Sequence, residues 1–149
     1  MLGKELHRLN ENPIILGYTK GNNFGRLIGM NFEILSEGKV EYHVQIEEKH
    51  LATPIASHGG VVASLMDSTT GISALSMVCE EGFIVSTVEL KLNFLAPVFL
   101  KDKLIGKSSV LSKGKRLIVT EAEVFNQDGK LVAKGMGTFN VYPMEKAGY

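Results

Sequence analysis

His58-Gly59-Gly60-Val61-Val62-Ala63-Ser64-Leu65-Met66-Asp67 opens the one convincing long helix of this chain, and its reading decides the fold. The helix is expected from about His58 to Cys79, with Gly82 just past its end. At 100° per residue, Val61, Leu65, Thr69, Ile72 and Ser76, with Val62 and Met66 beside them, share one broad face. That face is mainly apolar and should lie on a sheet. The opposite face carries Gly60, Ser64, Asp67, Gly71, Ala74 and Val78. Apart from Asp67 and Val78 these are small, so another helix or a ligand could approach the backbone closely.

Strand-like runs flank the helix. Before it, Met30 to Leu35 and Val40 to Ile46 surround the turn Ser36-Glu37-Gly38-Lys39. Val40, Tyr42, Val44 and Ile46 alternate with Glu41, His43 and Gln45, as in a half-buried strand. After it come Val85 to Phe94, Lys103 to Leu111, Leu117 to Phe125 and Leu131 to Val141. Lys113-Gly114-Lys115 and Asn126-Gln127-Asp128-Gly129 suit tight hairpins. One helix among many strands must be wrapped by the sheet, since each needs an apolar partner. The expected class is α+β, an antiparallel sheet around one central helix. A single domain is expected over 1–149, with an N-terminal helical segment in 1–24. There Leu2, Leu6 and Leu9 recur at helical spacing and Asn12-Pro13 starts a short second turn. Asn22-Asn23 and Gly25 read as loop.

Lys plus Arg and Asp plus Glu both total 16, so no global field draws the chain to nucleic acid or an anionic membrane. No stretch approaches the roughly 20 apolar residues of a membrane span. Cys79 is the single cysteine, which excludes an internal disulfide and points to a reducing cytoplasm. Four scattered histidines lack the spacing of a zinc motif, so no metal is expected.

Asp67 is the only charged residue from Gly59 to Val78. A solvated helix face normally carries several Lys and Glu, so this lone carboxylate reads as a part-buried functional group. The helix start offers unpaired N–H groups and a partial positive charge. Gly59 and Gly60 let an oxygen come close without meeting a Cβ, which suits a carbonyl oxygen gaining charge during attack. Gly59 and Asp67 stand 8 residues apart on one helix, about 12 Å along its axis. That is too far for both to act on one carbonyl. If both are catalytic, the acid comes from a second copy whose helix runs antiparallel.

The stretch His58 to Asp67 resembles the HGG-x6-D helix motif of the PaaI-like and hydroxybenzoyl-CoA-type hotdog thioesterases. Val88-Glu89-Leu90-Lys91-Leu92-Asn93-Phe94-Leu95-Ala96-Pro97 is similar to their central strand. The resemblance covers nearly all of the chain after about residue 25. It implies a hotdog fold, hydrolysis of a medium-chain or aromatic acyl-CoA thioester, and no cofactor beyond the CoA of the substrate. It also implies a homodimer, as a dimer alone or a dimer of dimers. The family's oxyanion donor falls on Gly59, and its nucleophile or general base on Asp67 of the other subunit. A hydroxyl that helps place the water falls on Thr87. Strict alternation, however, sets Thr87 with Glu89, Lys91 and Asn93, opposite Val88, Leu90, Leu92 and Phe94. Substrate contacts are expected from His58, Gly60 and Ser64 at the helix start, and from Met66, Thr70 and Phe94 along the acyl pocket.

One departure matters. Many members carry Asn or Gln six residues before the motif histidine, where this chain has Ala52. A non-catalytic acyl-CoA or fatty-acid binding domain is therefore the alternative. His58 is read as a ring bonded to set the helix start rather than as a general base, and His50 as a loop residue. Lys101, Lys103, Lys107, Lys113, Lys115 and Arg116 could meet CoA phosphates or simply be solvated.

Overall fold

A computed structural model describes residues 7–148. The helical spacing of Leu2 and Leu6 lies outside the described residues. From His7 onward, a short 3-10 turn over Arg8–Glu11 leads into helix α1, Pro13–Gly21. Asn12 caps α1 by accepting the Ile14 N–H at 2.9 Å, and Pro13 takes the first turn, where its missing donor costs nothing. Leu9 and Ile15 are buried in the main core, so this segment is part of the fold.

The expected loop at Asn22-Asn23 and Gly25 is instead a second short helix, α2, Asn23–Ile28. Asn22 accepts the Gly25 N–H at 3.0 Å and caps it, and Gly29, with φ 76°, ends it. Asparagine and glycine favour turns and helix ends alike, which is why the stretch reads as loop.

Six strands follow: β1 Asn31–Ser36, β2 Lys39–Gln45, β3 Phe83–Phe94, β4 Lys103–Lys113, β5 Leu117–Phe125 and β6 Leu131–Pro143. They form one antiparallel sheet in the order β1-β2-β4-β5-β6-β3. The long helix α3, Gly59–Ser76, lies between β2 and β3 in sequence and touches all six strands. This is the hotdog fold. Helix α3 stops at Ser76, short of Cys79. Gly82, with φ 82°, ends the 3-10 turn that follows.

Leu65, Met66 and Ile72 of α3 pack into the main core with Ile34, Val44, Leu104 and Val124. The sheet comes close enough that a Cβ on Gly106 of β4 would lie 2.3 Å from the Thr69 Oγ1. Hydroxyls on the buried face are satisfied locally. Thr69 donates to Leu65 O at 2.6 Å, and Ser73 donates to Gly38 O at 2.6 Å.

The small-residue face is shorter than expected. Ala74 and Val78 are buried in a second cluster with Ile118 and Phe139. The sheet curls far enough round α3 to cover its C-terminal half. Only the stretch from Gly60 to Gly71 stays partly open.

His50, read as a loop residue, ends a 3-10 turn over Glu48–His50 and is buried. Its Nδ1 accepts the Glu47 N–H at 2.9 Å, so its Nε2 carries the proton and donates to Ile28 O at 2.8 Å. Its carbonyl accepts the His58 N–H at 2.7 Å. His50 thus ties the end of α2 to the start of α3.

Candidate active site

Asp67 sits midway along α3, part-buried, and the Thr87 hydroxyl donates to its Oδ1 at 2.8 Å. Thr87 reaches it because β3 is irregular. Thr87 pairs with Phe139 and Glu89 pairs with Thr138, leaving Val88 as an extra residue. A bulge of this kind reverses the alternation beyond it. Across β6, the partners of Thr87, Leu90, Leu92 and Phe94 are Phe139, Gly137, Gly135 and Ala133, every second residue and hence one face. Thr87 therefore shares the helix-facing side with the apolar residues, and strict alternation is corrected.

The carboxylate opens on a depression of about 150 Å³ whose walls include Ser68, Gly71, Ser86 and Phe139. Tyr18 of α1 lines it too. Nothing in the sequence marks Tyr18, which the fold of the N-terminal segment brings beside a helix some fifty residues later. Asn22 Nδ2 donates to the Tyr18 hydroxyl at 3.2 Å and to the Tyr42 hydroxyl at 3.4 Å. Burial, reinforced by Tyr18, pushes the Tyr42 phenol far above its ordinary range, so it stays protonated.

At the start of α3, His58 is the N-cap, and its Nδ1 accepts the Gly60 N–H at 2.7 Å. That bond occupies the Gly60 donor, and the His58 ring fills the space beside Gly60, where a Cβ would lie 2.8 Å from Nδ1. The Gly59 N–H finds no acceptor among the described residues. A Cβ on Gly59 would lie 3.4 Å from the Phe94 ring, so the exposed Phe94 stands beside this donor. Ser64, part-exposed one turn on, donates to Gly60 O at 2.7 Å.

Met66 and Thr70 lie elsewhere. Both are fully buried, and Thr70 donates to Met66 O at 2.8 Å. They fall on the sheet-facing side of α3 and are sealed from solvent among the described residues. Ala52 is exposed, and its N–H donates to Ala56 O at 3.0 Å. The lysines do not gather at Asp67. Lys113 donates to Met77 O at 3.2 Å, and Lys107 lies 5.8 Å over the Phe125 ring. Cys79 is buried, and burial pushes its thiol up, away from nucleophile chemistry.

The geometry therefore pairs a hydroxyl-held carboxylate with an open helix-tip donor, about 12 Å apart within one chain.

Comparison with known proteins agrees with the fold. Residues 57–133 match the model of the thioesterase superfamily. Human acyl-coenzyme A thioesterase 13 is 31% identical over 84% of this chain and 89% of its own. The PaaI protein of the Escherichia coli phenylacetic acid degradation operon superposes with a TM-score of 0.81 at 23% identity, over 90% of this chain and 93% of that one. A Streptococcus mutans protein solved bound to acetyl CoA is 25% identical, with a TM-score of 0.69, over 76% and 89% of the two chains.

Proposed function

The chain belongs to the thioesterase superfamily, and on that premise we propose that it hydrolyses acyl-CoA thioesters at a site built by two copies. The observation that carries this reading is the Asp67 carboxylate, held by Thr87 and open to a depression, on a helix whose tip keeps the Gly59 donor unused.

The thioester carbonyl oxygen accepts from the Gly59 N–H of one copy, where the helix tip stabilises the charge it gains. Asp67 of the other copy supplies the carboxylate. In one route its free oxygen bonds to the carbonyl carbon, the C–S bond breaks, CoA leaves as thiolate, and water cleaves the resulting anhydride. In the other it takes a proton from water, the hydroxide adds to the carbon, and the thiolate leaves. A single turnover in ¹⁸O water separates them: the second route puts the label in the product acid, whereas the first, with water attacking the Asp67 carbon of the anhydride, puts it in Asp67 and releases an unlabelled acid.

The edge strand supports the two-copy site. β3 is 12 residues long and ends the sheet, so its outer backbone groups are unpaired among the described residues. Val88 is 62% exposed and Phe94 57% exposed on this strand, which is costly unless covered. Antiparallel pairing of β3 with its copy would set the two α3 helices antiparallel as well. The outer sheet face sets exposed Met136 and Leu117 beside the Lys134–Glu123 pair, an apolar patch on which two dimers could stack back to back.

The acyl group is medium-chain or aromatic on this reading. The single buried cysteine is in keeping with the cytoplasm. Among the described residues no helix is long and apolar enough to cross a membrane.

A panel of CoA esters with free-thiol detection, run on wild type and Asp67→Ala, tests the proposal. Turnover that survives the substitution unchanged removes Asp67 from the mechanism. Binding without turnover in the wild type would favour the non-catalytic reading, for which Ala52 is the motivating observation.

A further inference from the structure

A groove of about 650 Å³ runs between α1, α3, the start of β3 and the chain end, within the size range of small-molecule pockets. Its walls are mainly apolar, with Ile14 from α1, Leu75 from α3, Ile84 and Val85 from β3, and Met144 beyond β6. Tyr18, Leu75 and Val85 also line the depression at Asp67 and Thr87, so the two hollows abut. The hollow of about 550 Å³ near Glu81, Lys113 and Lys115 shares no lining residue with that depression and has a charged rim.

Helix α1 bears on the groove in an unusual way. It presents Gly17 and Gly21 there, one turn apart, and a Cβ at either position would meet nothing within 4 Å. Two glycines weaken a nine-residue helix, and packing requires neither of them. What they do is keep the groove open.

We propose that this groove receives the unbranched apolar acyl chain of the substrate, and that the Gly17 face of α1 sets the chain length accepted. The inference rests on the reading of Asp67 as the reacting carboxylate. The carbonyl lies at Asp67, the CoA extends outward, and the chain passes Tyr18 into the space between α1 and α3. This location replaces a pocket along Met66 and Thr70, which are sealed.

The test is a chain-length series from acetyl-CoA to dodecanoyl-CoA on wild type, Gly17→Ala and Gly17→Leu. The readout is the ratio of kcat/KM for decanoyl to that for acetyl. In the wild type kcat/KM rises about three- to fourfold per methylene along the series until the groove is filled. Gly17→Leu fills the groove from a site where its Cβ meets nothing, and lowers the ratio by about tenfold or more, the worth of two methylenes. Gly17→Ala falls between. A ratio unchanged in both variants overturns the proposal while leaving the hydrolase reading intact. If the wild type cleaves no ester, that reading fails by itself, and calorimetry with ethyl-CoA and decyl-CoA thioethers decides the groove. Selective weakening of decyl-CoA binding by Gly17→Leu supports it, and equal binding overturns it.

Discussion

The Thr87 hydroxyl donates to Asp67 Oδ1 at 2.8 Å because Val88 is an extra residue in β3. Without that bulge, alternation would turn Thr87 to the outer face of the sheet and leave the carboxylate without its hydroxyl. Bulges commonly re-aim side chains beside functional sites. Here the bulge lets Thr87 hold one carboxylate oxygen and leaves the other for the attack we propose.

Thr87→Val is therefore expected to lower kcat by about 10- to 100-fold, the worth of a hydrogen bond to a charged group. Thr87 is exposed, so stability should move by no more than about 0.5 kcal/mol. Thr87→Ser, which keeps the donor, should restore most of the rate. Steady-state kinetics beside a thermal melt check all three points. Equal losses in the Val and Ser variants would assign Thr87 to packing alone.

Gly59→Pro removes the proposed oxyanion donor and sets a ring carbon in its place. Gly59 is the first residue of α3, where proline is well tolerated, and His58 before it is already extended at φ −62° and ψ 135°. The variant should fold and lose at least about 10²- to 10³-fold in kcat/KM, since the ring Cδ also takes the place of the carbonyl oxygen. A kcat close to wild type would mean that the oxyanion donor lies elsewhere.

Stability should fall at alkaline pH. Burial raises the pKa of both Cys79 and Tyr42 in the folded chain. The stability these two groups contribute is fully present below their unfolded pKa values. Above about pH 9 the unfolded chain loses these protons while the folded chain keeps them, so stability declines as pH rises. Urea titrations at pH 7 and pH 10.5 should show this decline, and Tyr42→Phe should reduce it.

Phe139→Ala should cost about 3–5 kcal/mol. Phe139 is 1% exposed, packs with Ala74, Val78 and Ile118, and closes the second cluster over the end of α3. Its ring also walls the Asp67 depression, so activity should fall together with the melting midpoint.

Periodicity, with the turn residues between the runs, made the sheet and α3 readable. The alternation of Val40, Tyr42, Val44 and Ile46 and the lone charge at Asp67 are both local signals. What escaped depends on contacts distant in sequence. The bulge at Val88 depends on how β3 pairs with β6, and no residue in Thr87-Val88-Glu89 announces it. Ala74 and Val78 looked open because the curl of the sheet over them, through Phe139, has no sequence signature. Tyr18 and the groove beside it arise from the docking of α1. Thr70 lies sealed against the sheet, and its position on the helix, between the two faces, left its side undecided by spacing.

The most direct test of a shared site is complementation between two disabled chains. Asp67→Asn and Gly59→Pro should each be nearly inactive alone. Co-expressed and randomly paired, half of the dimers are mixed, and each mixed dimer holds one site with Asp67 and Gly59 both intact. Thiol release should then recover to about a quarter of the wild-type rate per chain. A mixture no more active than the average of its two parents would contradict the shared site.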